Sequence, residues 1–340
     1  MSISRHWAIL FSIFVAAFAL ASPPAIATAW DTGSYALAAG DFNGDGQADL
    51  LLQSKQSGGS GGIVLSDANG DLTVFNQQLD DGFLGIDWSD AAHVAHIGDF
   101  NGDGCDDIFL QARSSGGTNY LLLANSAGQF TAVKQHFTSN SGYNWTLPNH
   151  QIIVGDFAGN GYDEILLQAV STGGTSAIVA PSSNGTFGTV VQSWTDGYLG
   201  KDWSSTRANL YAGDFNGDGK DDIFAQARPD IRIIPYDILI PITVYRDNSF
   251  ALFFADASGK LSAVSAEWSR NDNGVDWADS AHHVVVGDFN GDGKADILLQ
   301  ATSSAGKNYL YSLNSSNQMT SQVTPWSDGK AGSNWNAESV

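Results

Sequence analysis

The chain has 340 residues, with 15 Lys and Arg against 36 Asp and Glu; its net charge of -21 excludes nucleic acid and anionic membrane as expected partners. The single cysteine, Cys105, excludes an intramolecular disulfide, and 38 glycines point to many tight turns and little rigid helix. Turns of this kind need another source of rigidity, and structural metal is the obvious candidate.

Residues 1–29 read as a secretory signal peptide. Arg5 precedes an apolar run from Trp7 to Leu20, and small residues in A-x-A pattern follow at Ala19 to Ala21 and Ala25 to Ala27. The run is shorter than the ~20 residues that span a bilayer. No later segment is long and apolar enough to do so, so the expected location is secreted or cell surface, with no membrane span after cleavage.

From residue 30 to 340 the chain is repetitive. DFNGDG begins at Asp41, Asp99, Asp214 and Asp288, and a degraded copy, DFAGNG, begins at Asp156. The copies recur at a nearly constant interval, and only the last one, from Asp214 to Asp288, is stretched. Each copy has a tryptophan at one fixed offset upstream (Trp30, Trp88, Trp145, Trp203, Trp277) and a glutamine at one fixed offset downstream (Gln53, Gln111, Gln168, Gln226, Gln300). Units therefore start near 30, 88, 145, 203 and 277, and a partial unit starts at Trp335. In the second unit His93 to Gly98 enters the loop as a strand and Asp107 to Gln111 leaves it. SSGG turns, Asn119 to Leu123 is a third strand, and Phe130 opens a fourth. Four strands per unit is the content of a propeller blade, so the fold class is all-β, a β-propeller of five four-stranded repeats or an incomplete part of a larger one. No helical periodicity follows the leader. The stretched unit is the fourth; IRIIPYDILIPITVYRD, within residues 229–249, replaces its small Gly-rich turn, read as a lengthened hairpin or an apolar contact surface.

The Asp-rich loops carry the chemistry. Ca²⁺ takes six to eight oxygen ligands, and a loop wraps it only where acidic or amide side chains alternate with residues that turn the backbone. Positions 1, 3, 5 and 9 are Asp41, Asn43, Asp45 and Asp49 in the first loop. They are Asp99, Asn101, Asp103 and Asp107 in the second, Asp214, Asn216, Asp218 and Asp222 in the fourth, and Asp288, Asn290, Asp292 and Asp296 in the fifth. Position 7 offers its carbonyl: Gln47, Cys105, Tyr162, Lys220 and Lys294. The thiol of Cys105 is thereby incidental. An EF-hand closes with Glu at position 12 between helices; here the closing acid comes at position 9 and a β-run starts there. Mg²⁺ retains more water and uses fewer protein ligands, so calcium is expected, at about four strong sites. The third loop keeps Asp156, Asn160, Tyr162 and Glu164 but has Ala158 at position 3. It is the degraded site, expected to bind weakly or not at all.

DFNGDGxxD, repeated at this interval, resembles the FG-GAP/VCBS repeat of integrin α-chain propellers, certain fungal lectins and many bacterial surface and toxin-associated proteins. The resemblance runs from about Trp30 to the end. It implies one repeat per blade with metal on a blade-edge hairpin loop. It leaves the ligand open, because relatives bind proteins, bind sugars or serve as shells.

The tryptophans fit a sugar platform or the filler between blades, and filler is expected. Catalysis has little support: His93 and His96 face opposite sides of one strand, as do His282 and His283, and no nucleophile elbow or HExxH helix appears. The leading expectation is an exported calcium-binding module, not an enzyme, for adhesion through a glycan or protein ligand. The alternatives are a scaffold portion of a larger Rhs or insecticidal-toxin-like protein, and then a polysaccharide-acting lyase or hydrolase. The register also places the next calcium Asp beyond Val340, giving the expectation of a fragment or of an unpaired last segment.

Overall fold

The computed structural model describes residues 33–228, 230–235, 239–244, 250–303, 306–316, 318–321 and 325–327. The leader at 1–29, Trp30, the partial unit from Trp335, and residues 229, 236–238 and 245–249 of the insertion lie outside the described residues.

Each repeat folds into one antiparallel sheet whose four strands lie side by side in chain order, and five such sheets form a five-bladed β-propeller. Blade 1 is Tyr35–Gly40, Asp49–Ser54, Gly62–Ser66 and Leu72–Gln78. Blade 2 is His93–Gly98, Asp107–Ala112, Asn119–Leu122 and Gln135–Phe137. Blade 3 is His150–Gly155, Glu164–Ala169, Thr175–Pro181 and Phe187–Thr195. Blade 4 is Ala208–Gly213, Asp222–Ala227, Phe250–Phe253 and Ala266–Trp268. Blade 5 is His282–Gly287, Asp296–Ala301, Tyr309–Leu313 and Met319–Ser321. The first strands of successive blades touch from blade 1 through blade 5.

The second strands explain the packing. They read as unbroken apolar runs because both faces are covered. In blade 2, Ile108 and Leu110 pack in the seam with blade 1, while Phe109 packs in the seam with blade 3. Four hydrophobic clusters fill the seams between successive blades. Trp88, Trp145, Trp203 and Trp277 are buried in them, so these four tryptophans are filler and not a sugar platform. Each indole N–H donates to the carbonyl five residues back: Phe83, Asn140, Tyr198 and Asp272.

Two details depart from the sequence expectation. The fourth strand of blade 2 starts at Gln135, not Phe130, which makes only an isolated bridge with Ala124. At that point Gln77 of blade 1 engages both backbone groups of Phe130: its Oε1 accepts the N–H at 2.7 Å and its Nε2 donates to the carbonyl at 2.8 Å. Short 3₁₀ turns occur at Phe83–Gly85, Tyr198–Gly200 and Asp272–Gly274, in three of the crossings between blades. The insertion forms its own two-stranded hairpin, Asp230–Pro235 against Leu239–Val244, separate from the sheet of blade 4.

Candidate metal loops and the clamps between blades

Every Asp-rich loop joins the first strand of a blade to its second, and the local chemistry closes it in the same way each time. The carboxylate at position 1 caps the turn. Asp41 accepts the N–H of Asp45 at 2.9 Å and of Gly46 at 2.8 Å. Asp99, Asp214 and Asp288 repeat this, each with one oxygen on the N–H at position 5 and the other on that at position 6. Asn43, Asn101 and Asn290 accept the position 5 N–H, and the position 5 side chains of Asp45, Asp103, Asp218 and Asp292 accept the position 7 N–H. Side-chain oxygens taking backbone N–H groups two to five residues on are the usual means of holding such a turn. Gly44 and Gly46, at φ +72° and +87°, supply the left-handed backbone that the turn needs.

Position 9 has a second task. Asp49 accepts the N–H of Phe42 at 3.0 Å and of Ser66 at 2.8 Å, bolting the loop to the end of the third strand. Asp107 does the same with Phe100 and Ala124. Asp222 accepts from Ala255 through Oδ1, but its Oδ2 is buried with no hydrogen-bond partner. The position 9 acids are 0–2% exposed. Burial first, and then neighbouring carboxylates, pushes their pKa up: Asp107 to about 9, Asp222 and Glu164 to about 8, Asp49 and Asp296 to about 6.

As the side chains stand, no three His, Cys, Asp or Glu among the described residues are grouped to hold a metal ion; the oxygens are turned to their own loop's N–H groups. The donor set nevertheless fits a hard cation. It is all carboxylate and amide oxygen, and Oδ2 of Asp222 is an orphaned anionic oxygen. The third loop folds alike without a position 3 ligand. Asp156 accepts from Asn160 and Gly161, Asn160 from Tyr162, and Glu164 from Ala158. In the fourth loop Lys220 pairs with Asp218 at 2.6 Å.

The structure also assigns roles that the sequence reading missed. At position 8, Asp106, Asp163 and Asp221 each reach back to the preceding loop. Their carboxylates accept the N–H of Asp41, Asp99 and Asp156, while their own N–H groups donate to the same three residues' carbonyls. The doublets Asp106-Asp107 and Asp221-Asp222 were the available signal, against Ala48-Asp49 and Ala295-Asp296. The position 7 side chain packs toward the preceding loop: the Cys105 sulfur would lie 3.1 Å from a Cβ on Gly44. Burial pushes the pKa of this thiol up to about 12, away from thiolate chemistry. The repeated glutamines are a third clamp. Gln111 donates to the carbonyls of Trp145 and His150, both at 2.8 Å; Gln168 and Gln226 repeat this on Trp203 with Ala208 and on Trp277 with His282. The amide thus reads the tryptophan of the next repeat, which is why both offsets are kept.

Repeated sheets, loop-to-loop clamps and seam tryptophans define a β-propeller built from loop-bearing repeats. The repeats are of a known type. An FG-GAP-like repeat matches residues 99–167 and FG-GAP repeats match 34–75 and 280–313, so the chain carries FG-GAP-type repeats, and its five-bladed propeller is consistent with them. Among curated proteins none matches it. Among solved structures it is similar to an Agrocybe aegerita lectin described as recognising non-reducing terminal N-acetylglucosamine. The TM-score is 0.58 at 19% identity, over 88% of this chain and 66% of the lectin chain. It thus spans just under two thirds of that lectin's length, and the likeness is one of fold. A candidate 6-phosphogluconolactonase from Bacteroides uniformis ATCC 8492 aligns at TM-score 0.45 and 14% identity, over 87% and 82% of the two chains. Among the described residues no helix is long and apolar enough to cross a membrane.

Proposed function

We propose that this chain is an exported, calcium-stabilised, non-catalytic propeller that binds glycans. The observation that carries the calcium reading is the buried, unpartnered Oδ2 of Asp222 inside a loop whose other donors are all oxygen. Position 9 carboxylates packed away from water beside two or three more acids are costly as anions, and a bound cation would supply the missing countercharge. In the fourth loop Asp214, Asn216, Asp218 and Asp222 would hold it together with the Lys220 carbonyl; the first, second and fifth loops offer the equivalent set. The ion would add rigidity to a chain with no disulfide, at loops that already clamp blade to blade.

The glycan reading is supported by the similarity in fold to the Agrocybe aegerita lectin and by an uncharged cleft at the crossing into blade 3. Export is supported by the leader pattern at 1–29. A glycan array probed with the mature protein in millimolar calcium, and again after chelation, tests the whole reading. Binding to defined glycans that weakens as the protein loses calcium is the expected result. An array with no signal, from protein shown to be folded, removes the glycan half and leaves a protein ligand as the remaining recognition class.

A further inference from the structure

The crossing from blade 2 to blade 3 differs from its counterparts. Counted from the residue opposite Gly61 or Asn119 to the next repeat's tryptophan, it has one residue fewer than the crossing from blade 1 to blade 2 (Phe137 to Trp145, against Leu79 to Trp88). A two-residue hairpin, Ser139–Asn140 with Tyr143–Asn144, replaces the 3₁₀ turn. Four residues before the tryptophan, the equivalents Leu84 and Leu199 pack onto the seam cores, but this crossing has Ser141, which bonds instead to Asn140 and Gly188. Two residues before the tryptophan, Ile86, Lys201 and Val275 are buried, whereas Tyr143 is only half-buried. The shorter, more polar crossing leaves a cleft of about 510 Å³ beside it, within the ~300–1,000 Å³ range of small-molecule sites.

The cleft contains no Asp, Glu, Lys or Arg. The one titratable ring, His150, is taken up by the fold: its nitrogens lie 2.5 and 3.0 Å from the carbonyls of Asn144 and Thr175. The ring of Tyr143 stands edge-on to His150 at 6.0 Å, which fixes its orientation. Around it are hydrogen-bonding groups without a protein partner among the described residues: Nδ2 of Asn144, whose Oδ1 serves Thr146, Oδ1 of Asn149, whose Nδ2 serves Thr146, and the hydroxyls of Tyr143, Ser171 and Thr175. An aromatic face with neutral donors and acceptors of both kinds, and no charge, matches the surface of an uncharged pyranose.

We infer that this cleft beside the shortened crossing is the seat of one neutral sugar residue, with Tyr143 as its platform and Asn144, Asn149 and Thr175 reading its hydroxyls. The inference rests on the glycan-binding reading above and deepens it by naming the place and the ligand class. It excludes uronic-acid and sialic-acid ligands, because no cation lies in the cleft and the molecule carries a net charge of -21.

The test uses calorimetric titration of the mature protein in millimolar calcium with neutral hexose and N-acetylhexosamine oligosaccharides and with uronic-acid oligosaccharides. Two variants are compared: Tyr143→Ala, which removes the platform, and Ser171→Trp, an exposed position where bulk would fill the cleft without touching the seam cores. Circular dichroism melts confirm that both fold. Neutral oligosaccharides binding to the parent and weakened at least tenfold by both changes is the expected outcome. Neutral binding untouched by both overturns this site while the glycan reading stands. Preference for uronic acids overturns the neutral class. No binding of either panel by the folded parent overturns the reading and the site together.

Discussion

At the scale of single residues, Asp222 and His96 respond to opposite changes of condition. Asp222→Asn keeps an oxygen for the Ala255 N–H while removing a buried charge that has one oxygen unpartnered. In chelator this change should leave the melting temperature unchanged or raise it, and in calcium it should remove one ion from the stoichiometry. Destabilisation under both conditions would mean that the carboxylate serves the fold alone. His96 keeps part of its surface accessible, yet the protein around it is dense enough that burial, opposed by the Gln111 hydrogen bond, lowers its pKa to about 4. A base with a folded pKa below its unfolded value of about 6.5 favours the native state above that value, and stability is lost as pH falls from about 6.5 toward 4. Ile153 occupies the same repeat position in blade 3, so His96→Ile should flatten that acid limb in thermal melts between pH 7 and pH 4. An unchanged pH profile would show that another group dominates it.

Elements differ in how firmly they are tied. The seams between blades 1 and 2, 2 and 3, and 3 and 4 have a position 8 carboxylate clamp and an outer glutamine clamp, from Gln77, Gln135 and Gln192. The seam between blades 4 and 5 has Ala295 and Ala266 at the corresponding places, and keeps the Gln226 clamp and one backbone bond from Ala295 to Asp214. Phe289 adds to the contrast. Its counterparts Phe42, Phe100, Phe157 and Phe215 are essentially buried, whereas it is 43% exposed. Blade 5 should therefore exchange its strand amides fastest in hydrogen exchange. Ala295→Asp should slow that exchange and stabilise the protein by about 1 kcal/mol, the scale of one hydrogen bond. Uniform protection over all five blades would contradict the ranking.

For the molecule as a whole, calcium and charge act together. With Kd values of ~10⁻⁴ to 10⁻³ M typical of extracellular sites, millimolar calcium contributes about 0.4 to 1.4 kcal/mol per site, or roughly 2 to 6 kcal/mol over four. That is comparable with the net stability of a domain, so EDTA should lower the melting temperature by many degrees. The loops are also unequal. Asp218→Ala should remove one ion, whereas Asp156→Ala should leave the stoichiometry unchanged while costing stability, because Asp156 caps its turn through Asn160 and Gly161 whether or not an ion is bound. Five equivalent sites in a calcium titration, or a melt indifferent to chelator, would overturn this account.

The repeat, the four-stranded blade and the loop residues were legible in the sequence because they are local: a turn that must cap its own N–H groups needs Asp, Asn and Gly at fixed offsets, and a strand covered on both faces needs an unbroken apolar run. The offsets of tryptophan and glutamine were visible as well, but their meaning was not. Gln111 and Trp145 stand 34 residues apart, and only the stacking of one blade on the next shows that the amide of one holds the carbonyl of the other. Asp106 reads as one more acid until its carboxylate is seen on Asp41, 65 residues earlier. Cys105 reads as a silent carbonyl donor until its sulfur is seen against Gly44. The cleft at Tyr143 was hidden for the same reason. A single missing residue in a crossing looks like noise in a repeat, and it acquires a consequence only when the neighbouring blade supplies the other wall.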